Sequence, residues 1–449
     1  MHRPMSRALG TILCWGLLLL FALPAVAQTR QQKVLADKEN VEADGFWIYN
    51  DLPRAFAQAK AENKPLVVVL RCIPCEECVK LDDHLVDTDP QLRPLLEQFV
   101  RARVVFTNGL DLSLFQYDYD QSFAVFLLNA DGTIYGRFGT RSHRTEWIGD
   151  VSIAGLAKAL SGALELHQDY PANRKALAGK RGSAPDFATP EKIPGLEKYT
   201  SRPDYAGNVV QTCIHCHQIG DALQARYLRQ GKPIPDEVLF PYPHPTSLGL
   251  VLDPQERATV KQVLKDKPLG EGHFQAGDRI NSVNGQPILS IADVQWVLQQ
   301  IPAKGGTLVI EYKRGQDTIT QEMLLPPGWR RGDDRSWRVS TWELRRVATG
   351  GMLLEAATDR PADLPDERMA LLVKHVGEYE PHDVAKQAGF KKGDMIISFA
   401  GRTDLPRETD LLVHALGDLR PGTNVPVTIL REGREIKLEL PVTKSADRR

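Results

Sequence analysis

The sequence predicts a multidomain chain of α/β plus α+β class. Three observations carry that expectation: a helix, an aliphatic strand and a cysteine-rich turn in succession near residue 70, a second cysteine turn near residue 213, and a doubled motif in the C-terminal half. The 449 residues suggest roughly two to four domains. A 42% hydrophobic content supports several cores and excludes a wholly disordered chain. The formal charge of -1 argues against a nucleic-acid partner, which would select a basic surface.

Residues 1–27 read as an export signal. His2, Arg3 and Arg7 precede an apolar run, Ala8 to Leu23; Pro24 breaks it, and Ala25-Val26-Ala27 places cleavage before Gln28. The expected location is periplasmic or otherwise exported, with membrane attachment only through an uncleaved signal. No later apolar run is long enough to span a bilayer. Cys14 leaves with the signal. The five remaining cysteines form two nests, Cys72, Cys75, Cys78 and Cys213, Cys216. Clustering of this kind points to chemistry more than to scattered structural disulfides.

The first nest follows a helix, Asp51–Asn63, with Leu52, Phe56 and Ala59 on one face, and a buried strand, Leu66–Leu70. A second helical stretch, Val79–Leu85, comes after it. Thiols on a strand-to-helix turn face the positive end of a helix dipole, which favours thiolate, while Glu76 and Glu77 oppose the effect. From Gly45 to Tyr170 the chain resembles the thioredoxin superfamily: Lys64-Pro65, the aliphatic strand, the CxxC turn, Lys80-Leu81, and an Asn129-Ala130-Asp131-Gly132 hairpin. Cys72-Ile73-Pro74-Cys75 imitates the family's CxPC, but the family's spacing from Pro65 implies Cys75 as nucleophile, Cys78 as its resolving partner and Cys72 as a third thiol. Phe123 falls near the place of the family's cis-proline. Loss of that proline leaves copper or zinc binding at Cys72, Cys75 and Cys78 as an alternative, beside a plain disulfide staple.

The second nest, Cys213-Ile214-His215-Cys216-His217, is a C-x-x-C-H signature for covalent haem c. Two thiols on one helical turn add to the porphyrin vinyls, and the adjacent His217 meets the iron. His244 is the candidate second axial ligand, since no Met lies nearby. A cytochrome-c-like segment is expected over 204–244, with a zinc site or a disulfide as alternatives. Residues 171–203, rich in Ala, Lys, Gly and Pro, read as a linker.

Gly277-Asp278-Arg279-Ile280-Asn281-Ser282-Val283-Asn284-Gly285 and Gly393-Asp394-Met395-Ile396-Ile397-Ser398-Phe399-Ala400-Gly401 share one pattern, each followed by a helix and closing strands. Both copies resemble PDZ domains of the bacterial protease-associated type, β-sandwich or barrel units spanning 245–326 and 335–443. That resemblance implies capture of a protein or peptide C-terminus by a loop, Leu248-Gly249-Leu250, and a helix wall, Val294, Val297 and Leu298. Gly350-Gly351-Met352-Leu353 is the matching loop in the second copy. Neither G-x-S-x-G nor H-E-x-x-H occurs. The order of parts is similar to that of the bacterial Trx/PDZ domain-containing (seleno)protein family. It implies an exported thiol-disulfide oxidoreductase with a redox partner protein; a non-enzymatic scaffold and a metal-handling protein are the alternatives.

Overall fold

The computed structural model describes residues 29–71, 89–121, 123–140, 151–270, 272–362, 364–420 and 422–443. The expected signal, and Cys72, Cys75 and Cys78 with the helix expected after them, lie outside the described residues.

The N-terminal third is a five-stranded mixed sheet in the order β1-β3-β2-β4-β5. Its strands are β1 (Ile48–Tyr49), β2 (Leu66–Arg71), β3 (Val100–Val104), β4 (Phe123–Leu128) and β5 (Ile134–Thr140). β1, β3 and β2 run parallel, whereas β4 and β5 are antiparallel. Every residue of β2 is buried, as a central strand covered on both faces requires. Val67, Val69, Phe123, Val125 and Leu127 face α1 (Arg30–Asp44) and α3 (Ile153–Gln168). Leu66, Val68, Leu70, Ala124 and Phe126 face α2 (Leu52–Glu62). Asp51 caps α2 by accepting the Arg54 N–H, and Asn63 closes it at φ 49°, so that Lys64-Pro65 leads straight into the sheet. Phe123 pairs with Arg71, the last residue of β2.

The stretch 171–203 is packed, contrary to the linker expectation. Leu177 joins the α1/α3 face, Ile193 is fully buried, and Lys180 pairs with Asp293 at 2.9 Å with both side chains buried. Segment 204–244 has no separate core either. Val209 and Cys213 belong to the α1/α3 face of the sheet, while Ile214 and Ile219 pack on Leu112, Ile193 and Leu196. Its longest helix is α4 (Cys216–Arg229).

The two C-terminal units repeat one topology. In the first, β6 (Leu250–Asp253), β7 (Thr259–Val263), β8 (Arg279–Val283), β9 (Gly306–Arg314) and β10 (Asp317–Leu325) neighbour each other in chain order, with α5 (Ile291–Gln300) between β8 and β9. In the second, α6 (Thr341–Thr349) leads into β11 (Met352–Ala356), β12 (Leu371–Val376), β13 (Met395–Phe399), β14 (Asn424–Arg431) and β15 (Arg434–Pro441), with α7 (Glu408–Asp418) between β13 and β14.

The shared motif has one physical cause. Gly277 and Gly393 turn at φ 93° and 94°. The Asp after each is buried and accepts a backbone N–H, from Gln275 and Lys391 respectively. It also takes a bidentate guanidinium from the strand beyond the helix: Arg314 to Asp278 at 2.8 and 2.7 Å, and Arg431 to Asp394 at 2.7 and 2.7 Å.

Candidate functional site

Parallel strands β2 and β3 end side by side, and the second cysteine turn lies across that end. Thr107 N–H and Oγ1 both donate to the Ile214 carbonyl, at 3.0 and 2.8 Å. Asn108 accepts the Ile214 N–H at 2.7 Å and donates to the carbonyls of Thr200 and Thr212. Asn108 was not singled out from the sequence; its signal was the Asn108-Gly109 turn dipeptide just after a strand. The turn, Arg71 and the β3 loop enclose a cavity lined by Leu70, Arg71, Val104, Phe106, His215 and Cys216, among others. It holds about 10 Å³, room for one water.

The motif is not a single helical turn. Cys213 and His215 are extended, at ψ 139° and 150°, and α4 begins only at Cys216. The hydrogen bonds from Thr107 and Asn108 pull the intervening peptide straight along the sheet end. The two thiols consequently enter different clusters. Cys213 is buried on the α1/α3 face, and burial pushes its thiol up to about 12. Cys216 packs on the α2 face and accepts a hydrogen bond from the Tyr117 hydroxyl at 2.9 Å. Burial raises the Cys216 thiol, while that bond and its own backbone N–H pull it back. Burial, then His217 and Arg30, push the His215 imidazole down to about 4, so it is neutral at pH 7. The His215 and His217 rings lie parallel, 6.0 Å between centroids, and His217 Nδ1 sits 3.5 Å from Asp221 Oδ2.

His244 serves a different element. It precedes the short 3₁₀ helix Pro245–Leu248, with Nδ1 2.8 Å from Thr246 Oγ1. Among the described residues no group of three or more His, Cys, Asp or Glu is placed to hold a metal ion. A haem needs both thiols on one side of a porphyrin-sized space. Here the thiols are split between two faces of a sheet beside a one-water cavity, so the residues as arranged do not fit the group. The copper or zinc alternative falls on Cys72, Cys75 and Cys78, outside the described residues.

In the first unit, Leu248, Leu250, Val294, Val297 and Leu298 are each 4% exposed or less and form its core. The expected helix wall is therefore interior. α5 is covered twice, by its own sheet and by the N-terminal domain. Trp296 Nε1 donates to the Gly179 carbonyl, Arg137 stacks 3.7 Å over its ring, and Asp293 accepts the Arg137 N–H. Gly249 turns the loop at φ 105°, where a Cβ would meet the Leu264 carbonyl at 2.9 Å. The loop opens into β6, an edge strand; among the described residues no side chain bonds its N–H groups.

A second connection joins the N-terminal domain to the chain between the two units. Arg338, fully buried, donates to Asp118 at 2.7 and 2.8 Å and to Asp120 at 3.3 Å. Ser340 N–H and Oγ also donate to Asp120. Burial pushes Asp118 up to about 6 against the pull of Arg338. This clamp fixes the loop that carries Tyr117 to Cys216.

Residues 47–130 match the thioredoxin-like family model, and residues 246–325 match the PDZ domain model. The chain thus carries a thioredoxin-like domain and a PDZ domain. A curated relative, the probable periplasmic serine endoprotease DegP-like of Pseudomonas savastanoi pv. phaseolicola (strain 1448A / Race 6), is 37% identical over 87 residues. That match covers 18% of this chain and 18% of the relative's own length. Among solved structures, the serine endoprotease from Yersinia pestis is 28% identical over 17% of this chain and 28% of its own, with a TM-score of 0.15. An aminopeptidase N family protein from Idiomarina loihiensis is 19% identical over 24% of this chain and 20% of its own, also with a TM-score of 0.15.

Proposed function

We propose that the protein is an exported thiol-disulfide redox protein whose PDZ domain recruits a peptide or protein C-terminus. The observation that carries this reading is the thioredoxin-like match over residues 47–130, a stretch whose sequence holds Cys72, Cys75 and Cys78. The chain enters Cys72 directly from Arg71, and Arg71 lines the same small cavity as Cys216. In this reading the Cys75 thiolate attacks one sulfur of a client disulfide, forming a mixed disulfide and releasing the other sulfur as thiolate. Cys78 then attacks the mixed disulfide at Cys75, leaving a Cys75–Cys78 disulfide and a client carrying two thiols. A redox partner protein returns the pair to dithiol by the same exchange. The first unit holds the client by β-strand addition to β6, with the Leu248-Gly249-Leu250 loop receiving the terminal carboxylate. The second unit, alike in topology, is read as a further PDZ-like module.

Haem c is outside this reading, because its attachment would require the Cys213–His217 turn to leave the sheet end. A pyridine haemochrome band on chain matured with a cytochrome-assembly system would restore it. The direct test is Cys75→Ser. Reduction of a disulfide-bearing peptide by the mature chain should fall to background; an unchanged rate would leave a peptide-binding scaffold.

A further inference from the structure

In a PDZ fold an incoming peptide lies between the edge strand that follows the carboxylate loop and the helix opposite, and its carbonyls take the strand's outward N–H groups. In the second unit those positions belong to β11 and α7. The space between them is bridged from within. Glu408, the first residue of α7 and buried, accepts the Leu354 N–H of β11 at 2.8 Å. The same carboxylate receives Arg345 of α6 through Nε at 2.9 Å and Nη2 at 2.6 Å. Arg345 Nη2 also donates to the Ser336 carbonyl, and Arg345 is 1% exposed. The loop glycines do not separate the units: Gly351 donates its N–H to the Arg345 carbonyl and Gly249 donates its own to the Thr246 carbonyl, each at 3.1 Å. Gly350 caps α6 at φ 63°. The first helical residue of the corresponding helix in the first unit is Ile291, which has no group to bond a strand.

We infer that the groove of the second unit is filled by the chain's own α6, with Glu408 standing where a peptide carbonyl would bind. This rests on reading the second unit as PDZ-like. Arg345 and Glu408 supply each other's charge and both acceptors, so a peptide would have to separate a buried ion pair to enter.

The test is amide hydrogen exchange on the full chain, alone and with a decapeptide that ends in Ala-Leu-Val with a free carboxylate. In the wild type, Leu354 should exchange as slowly as the ladder amides of β12, and the peptide should add protection to β6 and none to β11. The double variant Arg345→Leu/Glu408→Gln should speed Leu354 exchange at least tenfold and let the peptide protect β11. Rapid Leu354 exchange in the wild type, or protection of β11 by the peptide there, overturns the inference whether or not the variant folds. Slow Leu354 exchange with no peptide protection on either strand upholds the filled groove and counts instead against peptide capture by the first unit.

Discussion

The two C-terminal units share a scaffold and differ in what borders their edge strands. Both fold around a glycine turn and a buried Asp gripped by an Arg, Asp278 with Arg314 and Asp394 with Arg431. Both present an edge strand after a glycine loop, β6 and β11. At β6 no described side chain bonds the strand N–H groups, whereas at β11 Glu408 bonds Leu354 and ties it to Arg345. A repeated sequence pattern therefore reports a repeated scaffold, here with different neighbours along its edge strand. The pattern covers the turn that holds the sheet together; the residues that open or close the groove lie at the helix start and in the chain before the loop, where the copies diverge.

The largest test of this contrast is Arg345→Ala. It strands the buried Glu408 carboxylate and should cost about 3–5 kcal/mol in urea unfolding, a figure typical of breaking a buried pair. Ile291→Val, at the matching helix start, should cost about 1 kcal/mol. Equal costs would remove the distinction between the two helix starts.

Next in size, Asp278→Asn and Asp394→Asn should each destabilise by about 2 kcal/mol, because each leaves a charged partner half-satisfied. The two costs should agree within about 1 kcal/mol by the same unfolding measurement, since the clamps are alike. A large difference would mean that the units do not share a scaffold energetically.

Gly249→Ala separates the units by function. At φ 105° an alanine strains the first loop, by about 1–2 kcal/mol, and peptide affinity measured by fluorescence polarisation should fall about tenfold. Gly351→Ala should instead unfold the second unit locally, since its Cβ would lie 1.9 Å from the His382 carbonyl, while peptide affinity stays within about twofold.

The smallest effect concerns pH. His215 has its folded-state pKa depressed to about 4, below the usual unfolded value of about 6.5. Above the unfolded value both states are neutral and the stability is whole. As pH falls from about 6.5 toward 4, the unfolded state takes up the proton first and stability drops, by roughly 1–2 kcal/mol after discounting for the ring's partial exposure. Thermal melts across that range should show the loss, and His215→Asn should flatten it.

Much of the N-terminal domain was legible because local signals agreed. Leu66–Leu70 could only be a buried strand, Lys64-Pro65 ended the helix before it, and the Asn129–Gly132 hairpin turned where expected. α1 was not legible, since only Val34 and Val41 among its residues are buried and they make no readable stripe. Contacts distant in sequence were hidden altogether: Arg338 meets Asp118 across 220 positions, and Lys180 meets Asp293 from a stretch that composition marked as linker. The C-x-x-C-H spacing was read as a haem signature with both thiols on one helical turn, whereas the segment's conformation depends on Thr107 and Asn108, about a hundred positions upstream. Such pairings follow from which surfaces meet, and no single segment encodes them.

The contrast between the units matters for function because the chain entering α6 also clamps the loop that carries Tyr117 to Cys216. In the proposed reading, a self-occupied second unit braces the sheet end that holds Cys216, and client capture falls to the first unit. The most direct test of the redox claim is to equilibrate the mature chain in glutathione buffers from fully reducing to fully oxidising and read each cysteine by alkylation and mass spectrometry. The account predicts that Cys75 and Cys78 pass reversibly between dithiol and disulfide along the series, while Cys213 stays a buried thiol. Cysteines fixed in one state at every ratio would contradict it.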